Sequence, residues 1–247
     1  MKWIKWTLLA LGIILVVPFV VGLIAHEKEP VGTVSPEADR LAEDMLTAIN
    51  KSAWDKTNWI QWTYADRNSF IWDKARNAVE VKFKDTRVLV NLDQVTGIAY
   101  EKGERVSGPK EQKLVQKAWA FFCNDAFWLN APAKAFDPGT ERSLVTLKDG
   151  RKGLKVKYNT GGVTPGDAYV WILDEHNRPI SYKMWVQISP VGGIEFTWDD
   201  WVELSSGAMI STTHKGMLEL KVTDLKDGQR WSDLGLTEDP LAPLFES

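Results

Sequence analysis

Polar and apolar residues alternate along most of the chain. Val79, Val81 and Phe83 interleave with Glu80, Lys82 and Lys84, the period-two pattern of a strand with one buried and one wet face. The same pattern predicts strands over Trp59–Tyr64, Ser69–Asp73, Arg87–Leu92 and Thr96–Glu101. After a gap it resumes over Ser143–Lys148, Lys152–Tyr158, Asp167–Leu173, Ile180–Ile188, Gly193–Glu203, Ala208–Lys215 and Met217–Thr223, with turn signals such as Asp149-Gly150 and Ser206-Gly207 between them. Two segments follow a helical period instead. Ser35-Pro36-Glu37 opens the first as cap, first-turn proline and dipole-favourable acid. Leu41, Met45, Ala48 and Ile49 give it one apolar stripe, ending near Ser52. Gly108-Pro109 opens the second, where Leu114, Val115, Ala118, Trp119, Phe121 and Phe122 form a wider apolar face. Asn124–Gly139 reads as irregular but apolar, and the tail after Gly228 carries no assignable pattern.

About twelve antiparallel strands do not stay flat. The predicted fold class is mainly β (α+β): a strongly curved antiparallel sheet or incomplete β-barrel, with the helices on its concave face.

Trp6–Ala25 is an uncharged run of 20 residues. As a helix it would span roughly 30 Å, the hydrocarbon thickness of a bilayer. Lys2 and Lys5 precede it, which keeps the N-terminus cytoplasmic and exports the rest. The length favours an uncleaved anchor over a cleaved signal peptide. The chain therefore divides into an anchor or signal sequence (1–25), a Pro- and Gly-containing linker (26–35) and an extracytoplasmic domain (36–247). The expected location is a bacterial inner membrane, with the domain in the periplasm, or secreted if the segment is cleaved.

Composition removes several classes of function. With 30 basic against 33 acidic residues there is no concentrated basic surface for nucleic acid. One cysteine, Cys123, excludes an internal disulfide, a CxxC pair or a Cys-rich zinc site, and beside Phe121-Phe122 it reads as a small buried residue. Three histidines make a multi-His metal site improbable, and His176 and His214 read as structural or solvated. There is no GxSxG, HExxH, P-loop or GxGxxG, and no cofactor is called for. The glycine-containing loop Asn159–Asp167 lacks the lysine of a phosphate cradle and reads as a rim loop. Asp199-Asp200 with His214 is the one constellation that could serve a hydrolase, although neighbours on a strand point to opposite faces.

Aromatics dominate instead, with 13 Trp, 5 Tyr and 9 Phe. Many sit at alternating strand positions and can project to one side. Most would be core, but a curved sheet of this size encloses more volume than two helices fill. Strand parity and proximity to the irregular segment select Trp72, Phe83, Phe122, Trp128, Trp171, Met184 and Trp198 as candidate walls of an apolar cavity.

Three stretches carry a resemblance: Ala126-Phe127-Trp128-Leu129-Asn130-Ala131-Pro132 running into Phe136-Asp137-Pro138-Gly139; Pro165-Gly166-Asp167-Ala168-Tyr169; and Phe196-Thr197-Trp198-Asp199-Asp200-Trp201 continuing to Ser211-Thr212-Thr213-His214-Lys215. Together they resemble a family of uncharacterised exported bacterial proteins similar to the periplasmic lipoprotein carriers of the LolA/LolB type and their LppX-like relatives. The resemblance spans most of residues 36–223. It implies an incomplete antiparallel barrel over a helical lid that holds acyl chains, with a lipid or the acyl chain of a lipoprotein as partner. It transfers no site residue position by position, and this chain departs from the lipidated members in lacking a lipobox cysteine. Two other readings stand beside a lipid-binding domain: a non-catalytic envelope interaction or scaffold protein with a filled core, and an envelope hydrolase using Asp199 or Asp200 with His214.

Overall fold

The computed structural model describes residues 26–160 and 165–246. The expected anchor, Trp6–Ala25, lies outside the described residues. No helix among those described is long and apolar enough to cross a membrane.

In chain order the elements are α1 (Pro36–Ala48), α2 (Lys51–Lys56), β1 (Trp59–Tyr64), β2 (Asn68–Asp73), β3 (Ala78–Phe83), β4 (Thr86–Asn91), β5 (Thr96–Glu101) and β6 (Glu104–Val106). Then come α3 (Pro109–Asn130), β7 (Thr140–Thr146), β8 (Lys152–Tyr158), β9 (Ala168–Leu173), β10 (Pro179–Trp185), β11 (Ile194–Thr197), β12 (Asp199–Glu203), β13 (Met209–Lys215) and β14 (Glu219–Gly228). Short 3-10 turns cover Ala131–Lys134, Trp231–Leu234 and Ala242–Leu244.

The protein is mainly β, with two antiparallel sheets and no closed barrel among the described residues. One sheet has nine strands, β12-β13-β14-β1-β2-β3-β4-β5-β6, and the other five, β11-β10-β9-β8-β7. They meet where β11 runs into β12. This corner divides the single strand expected over Gly193–Glu203. Trp198 sits at the break, its N–H donating to the Ile180 carbonyl at 2.8 Å, and Asp200 just beyond it has a φ of 52°. The strands β6 and β7 are left as edges.

Both sheets turn their alternating apolar positions toward one shared core. Trp62, Phe70, Val79 and Val88 come from the larger sheet, and Leu154, Trp171, Tyr182 and Phe196 from the smaller. Onto this core α1 presents Ala38, Ala42 and Met45, while α3 presents Val115, Ala118, Phe122 and Leu129. The helix α3 packs on β4, β5 and β13, whereas α1 packs on β7 and β8.

Several boundaries differ from the sequence reading. The first helix stops at Ala48 because Asn50 takes a left-handed conformation, φ 50°, and the chain restarts as α2. The segment expected to be irregular from Asn124 is helical through Asn130, since Phe122, Asp125 and Leu129 extend the stripe of Val115 and Ala118. The Asn124 side chain donates to Asp125 at 2.7 Å instead of competing for backbone. The last strand starts at Glu219 and runs on to Gly228, because a bulge opposite Gln61 and Thr63 absorbs Asp224 and resets the alternation.

The chain ends cover the outer faces. Residues 26–35 do not behave as the expected free linker. They form a strap across the outer face of the five-stranded sheet and bridge its edge at Thr33–Leu144. The charges that suggested a tether find partners there. Glu27 accepts from Lys183 at 2.9 Å, and Glu29 accepts from both Lys155 and Lys157 at 3.1 Å. A side chain at Gly32 would lie 2.1 Å from the Ser143 hydroxyl, so only glycine lets the strap lie this close. The tail after Gly228 does the same for the nine-stranded sheet. Leu234 and Leu241 seal Trp59, Ile71, Ala78 and Leu89, and Arg76 ties Asp239 at 2.7 Å.

Lys155 and Lys183 are almost fully buried beneath the strap, so removing Glu29 and Glu27 leaves Lys155 with only the Pro30 carbonyl and Lys183 with only Asp149 at 4.0 Å. The double variant Glu27→Ala/Glu29→Ala is expected to lose about 2–4 kcal/mol of stability in denaturant titration. Glu219→Ala, which breaks only the exposed pair with Lys221, should stay within about 0.5 kcal/mol of the parent. Equal effects of the two variants would mean that the strap does not hold the sheet.

Candidate functional site

All seven residues expected to line a cavity reach the shared core. Trp171 and Trp198 are essentially fully buried, Phe83, Phe122 and Trp128 nearly so, and Trp72 and Met184 are half-buried against them. They fall into two groups. Around the middle of α3, Phe122 meets Trp72 edge-on at 5.1 Å and Trp62 at 6.2 Å, while Phe83 meets Phe121 at 5.2 Å. Nearer its C-terminal end, Trp128 meets Phe196 at 4.9 Å and Tyr182 at 5.7 Å. Trp171, Trp198 and Tyr182 form a mutual triangle with centroid separations of 5.1, 5.8 and 5.1 Å. Parity explains the second group, because Tyr169 and Trp171, Tyr182 and Met184, and Phe196 are the inward positions of β9, β10 and β11.

Tyr169, Phe196, Tyr182 and His214 in this group were not among the candidates, and the last two are the most deeply buried. Tyr182 is fully buried, and so is His214 on β13, whose ring lies 4.4 Å from Trp198 and 5.4 Å from Trp128. The available signal was that His214 shares parity with Ile210, an inward residue of the same strand.

The polar atoms set this interior apart from an ordinary core. Trp171 Nε1, Trp198 Nε1, Tyr182 Oη and His214 Nε2 are all buried with no hydrogen-bond partner among the described residues. Trp62 Nε1, Trp72 Nε1, Tyr158 Oη and both side-chain polar atoms of Asn130 share that condition. Each such group costs about 1–3 kcal/mol when left unpaired, and native interiors pair the large majority of theirs. His214 Nδ1 lies 3.2 Å from the Thr197 carbonyl. Burial drives the imidazole pKa down to about 4, against the pull of the Thr197 and Trp128 carbonyls, so the ring is neutral at pH 7. Burial likewise raises the Tyr182 and Tyr158 hydroxyls well above their ordinary value.

A buried carboxylate fastens this end of α3. Asp125 accepts from Asn68 at 2.8 Å and from Asn124 at 2.7 Å. Desolvation raises its pKa above the ordinary value even so, and burial, reinforced by the Asp125 charge, raises that of Tyr64, which stacks on Trp128.

Two hollows, of about 480 and 410 Å³, lie outside the core, one between β1–β2 and the tail at Trp59, Arg76 and Trp231, the other between the strap and Leu147, Lys148 and Trp185. None of the seven candidates lines either of these two hollows.

The hydrolase constellation is not assembled. Asp199 points outward, accepting from the Thr197 hydroxyl at 2.8 Å and lying 3.3 Å from Lys215 Nζ. Asp200 is exposed, and His214 points inward to a carbonyl. Cys123 is half-buried, with its thiol pKa raised by burial, and His176 sits in an exposed turn. Of the rim loop Asn159–Asp167, residues 161–164 lie outside the described residues.

No protein-family model and no curated protein matches the chain. Among solved structures, the crystal structure of a DUF1329 family protein from Desulfovibrio piger ATCC 29098 is similar over 81% of this chain and 100% of that one, at 10% identity and a TM-score of 0.40.

His214 makes the interior sensitive to acid. Its pKa is about 4 when folded against an ordinary 6.5, so between these values the unfolded chain binds a proton that the folded chain refuses. The corresponding stability is complete above about pH 6.5 and is lost as the pH falls toward 4, by about 3 kcal/mol in all. Denaturant midpoints measured across that range should fall more steeply for the parent than for His214→Gln. Parallel curves would place the imidazole in contact with water.

Proposed function

We propose that residues 36–247 form an extracytoplasmic binding domain, held at a membrane by residues 6–25, that takes an acyl-chain amphiphile between its two sheets and α3. A lipid or the acyl chain of a lipoprotein is the class of guest. The observation that carries this reading is the concentration of unpartnered indole N–H, phenol and imidazole groups within an aromatic lining. Such a lining offers apolar surface to a chain and a few donors to an ester or carboxylate oxygen, the composition of a small-molecule site. Ten methylenes buried there would contribute roughly 8 kcal/mol gross, equal to about micromolar affinity before ordering costs. The guest must displace side chains to enter. The C-terminal half of α3, fastened by Asp125, is the cover it displaces.

A second reading is an envelope scaffold whose aromatics are all structural. The close ring contacts among the candidate residues favour it.

The Trp171→Phe variant separates the two, because it deletes the unpaired N–H while keeping an aromatic side chain. In both readings the stability of the free protein should change by no more than about 2 kcal/mol, since the cavity left by the smaller ring opposes the gain from removing the unpaired donor. If the indole bonds a guest, binding of cis-parinaric acid, followed by its fluorescence, should weaken about fivefold. Native mass spectrometry of the full chain should also show co-purified lipid. No bound lipid and no response to the probe in the parent protein would leave the scaffold reading in possession.

A further inference from the structure

We propose that the end of the sheets formed by residues 186–193 and 216–218 rests on the lipid surface, with Ile188, Met217 and Leu218 inserted among the headgroups. Antiparallel topology puts the β10–β11 and β13–β14 connections at the same end of the molecule. They are also neighbours, since a side chain at Gly216 would lie 2.6 Å from the Glu195 carbonyl and 2.7 Å from Phe196, at the start of β11. In a chain of which 26% is charged, these eleven residues carry no charge. Their tips are apolar and open, with Ile188 76%, Met217 82% and Leu218 66% exposed. The flanking charges are already engaged: Lys215 faces Asp199 at 3.3 Å, and Glu219 pairs with Lys221 at 2.9 Å.

On the larger sheet the β1–β2 turn with Asp66 and Arg67 lies at this same end, beside β14; the contrast is with the turns at the opposite end of the smaller sheet. Lys148-Asp149-Gly150-Arg151 and Asp174-Glu175-His176 are dense with charge.

The place where the N-terminal segment joins the domain selects a lipid surface over another occupant. His26 is the first described residue, and its Nδ1 accepts the Gly192 N–H at 3.1 Å, within the same connection that carries Ile188. Glu27 N–H donates to the Gly192 carbonyl at 3.0 Å, so this junction is fixed to the sheet. The uncharged run Trp6–Ala25 thus enters the domain beside the apolar tips. If that run spans a bilayer, these are the loops closest to it, and uncharged apolar tips are what an interface accepts. Trp128 and Phe196 lie at this same end of the core, so the aromatic interior would face the source of its guest.

This orientation rests on the membrane attachment of the proposed function but not on its guest. The test uses the full chain with Cys123→Ser, reconstituted into vesicles of phosphatidylethanolamine and phosphatidylglycerol. An environment-sensitive fluorophore is placed in turn at Ile188→Cys, Met217→Cys, Leu218→Cys and, at the opposite end, His176→Cys. The first three probes should shift to the blue on reconstitution, lose quenching by iodide and gain quenching by spin-labelled lipid, while the fourth should stay wet. Four wet probes, or a chain that does not associate with the vesicles, would overturn the orientation. Wet probes on a protein that still binds cis-parinaric acid would leave the binding reading intact. Buried probes on a protein that binds no acyl probe would remove the guest and leave the orientation standing.

Discussion

A sheet with apolar side chains on both faces has to be covered twice, and most of this molecule follows from that requirement. In β3 the four residues Ala78, Val79, Glu80 and Val81 are all buried, although alternate ones point to opposite sides. One face is the shared core under α1 and α3. The other would expose Ile71, Ala78 and Leu89 if the tail did not lie across them. The smaller sheet has the same problem with Val145, Val170 and Ile172, and the strap of residues 26–35 lies over that side. Burying one large apolar side chain contributes roughly 1.5–3 kcal/mol. A terminal segment that seals Trp59, Ile71 and Leu89 is thus as important to stability as a helix.

The two covers work by different chemistry. The tail is mostly hydrophobic, with Leu234, Leu241 and the flanking Trp231 closing over Trp59. The strap is mostly ionic, with Glu27 and Glu29 meeting Lys183, Lys155 and Lys157. Buried ion pairs contribute little net stability beyond their desolvation cost, but they are unforgiving of a wrong register. That suits a segment which must hold the domain in a fixed pose relative to whatever lies upstream of His26.

How far the sequence was legible tracks how local each signal is. Period-two runs such as Val79–Val81–Phe83 and the three- and four-residue spacing of Leu41, Met45, Ala48 and Ile49 depend on neighbours in the chain, and these strands and this helix form, although α1 buries Ala38, Ala42 and Met45 while Leu41 and Ala48 are half-buried. Signals that depend on distant partners were misread. The charges of Glu27 and Glu29 looked solvated because Lys155 and Lys183 lie more than a hundred residues away, and the tail had no pattern because the face it covers belongs to β1–β4. Asn124 was taken as a breaker, yet it is tied to Asp125 within a helix held by tertiary packing. For the site, parity and proximity to α3 brought all seven chosen residues into or against the core. They could not find Tyr182 and His214 as members of the polar group, since their meaning lies in what they fail to bond.

That failure is the most informative feature of the interior. A core selected only for stability would fill this space with side chains that carry no unpaired donor, whereas Trp171 and Trp198 each bring a buried indole N–H without a partner among the described residues. It would also avoid a fully buried imidazole whose neutrality must be maintained against water. Keeping both at one end of the core, beside the start of β11 and the C-terminal turns of α3, concentrates the cost where the fold is least regular: the Trp198 corner, the 3-10 turn after Asn130 and the uncharged connections beyond. Local cost gathered at an irregular end of a domain is the pattern of a functional site. The opposite end of the smaller sheet closes in the charged β7–β8 and β9–β10 turns.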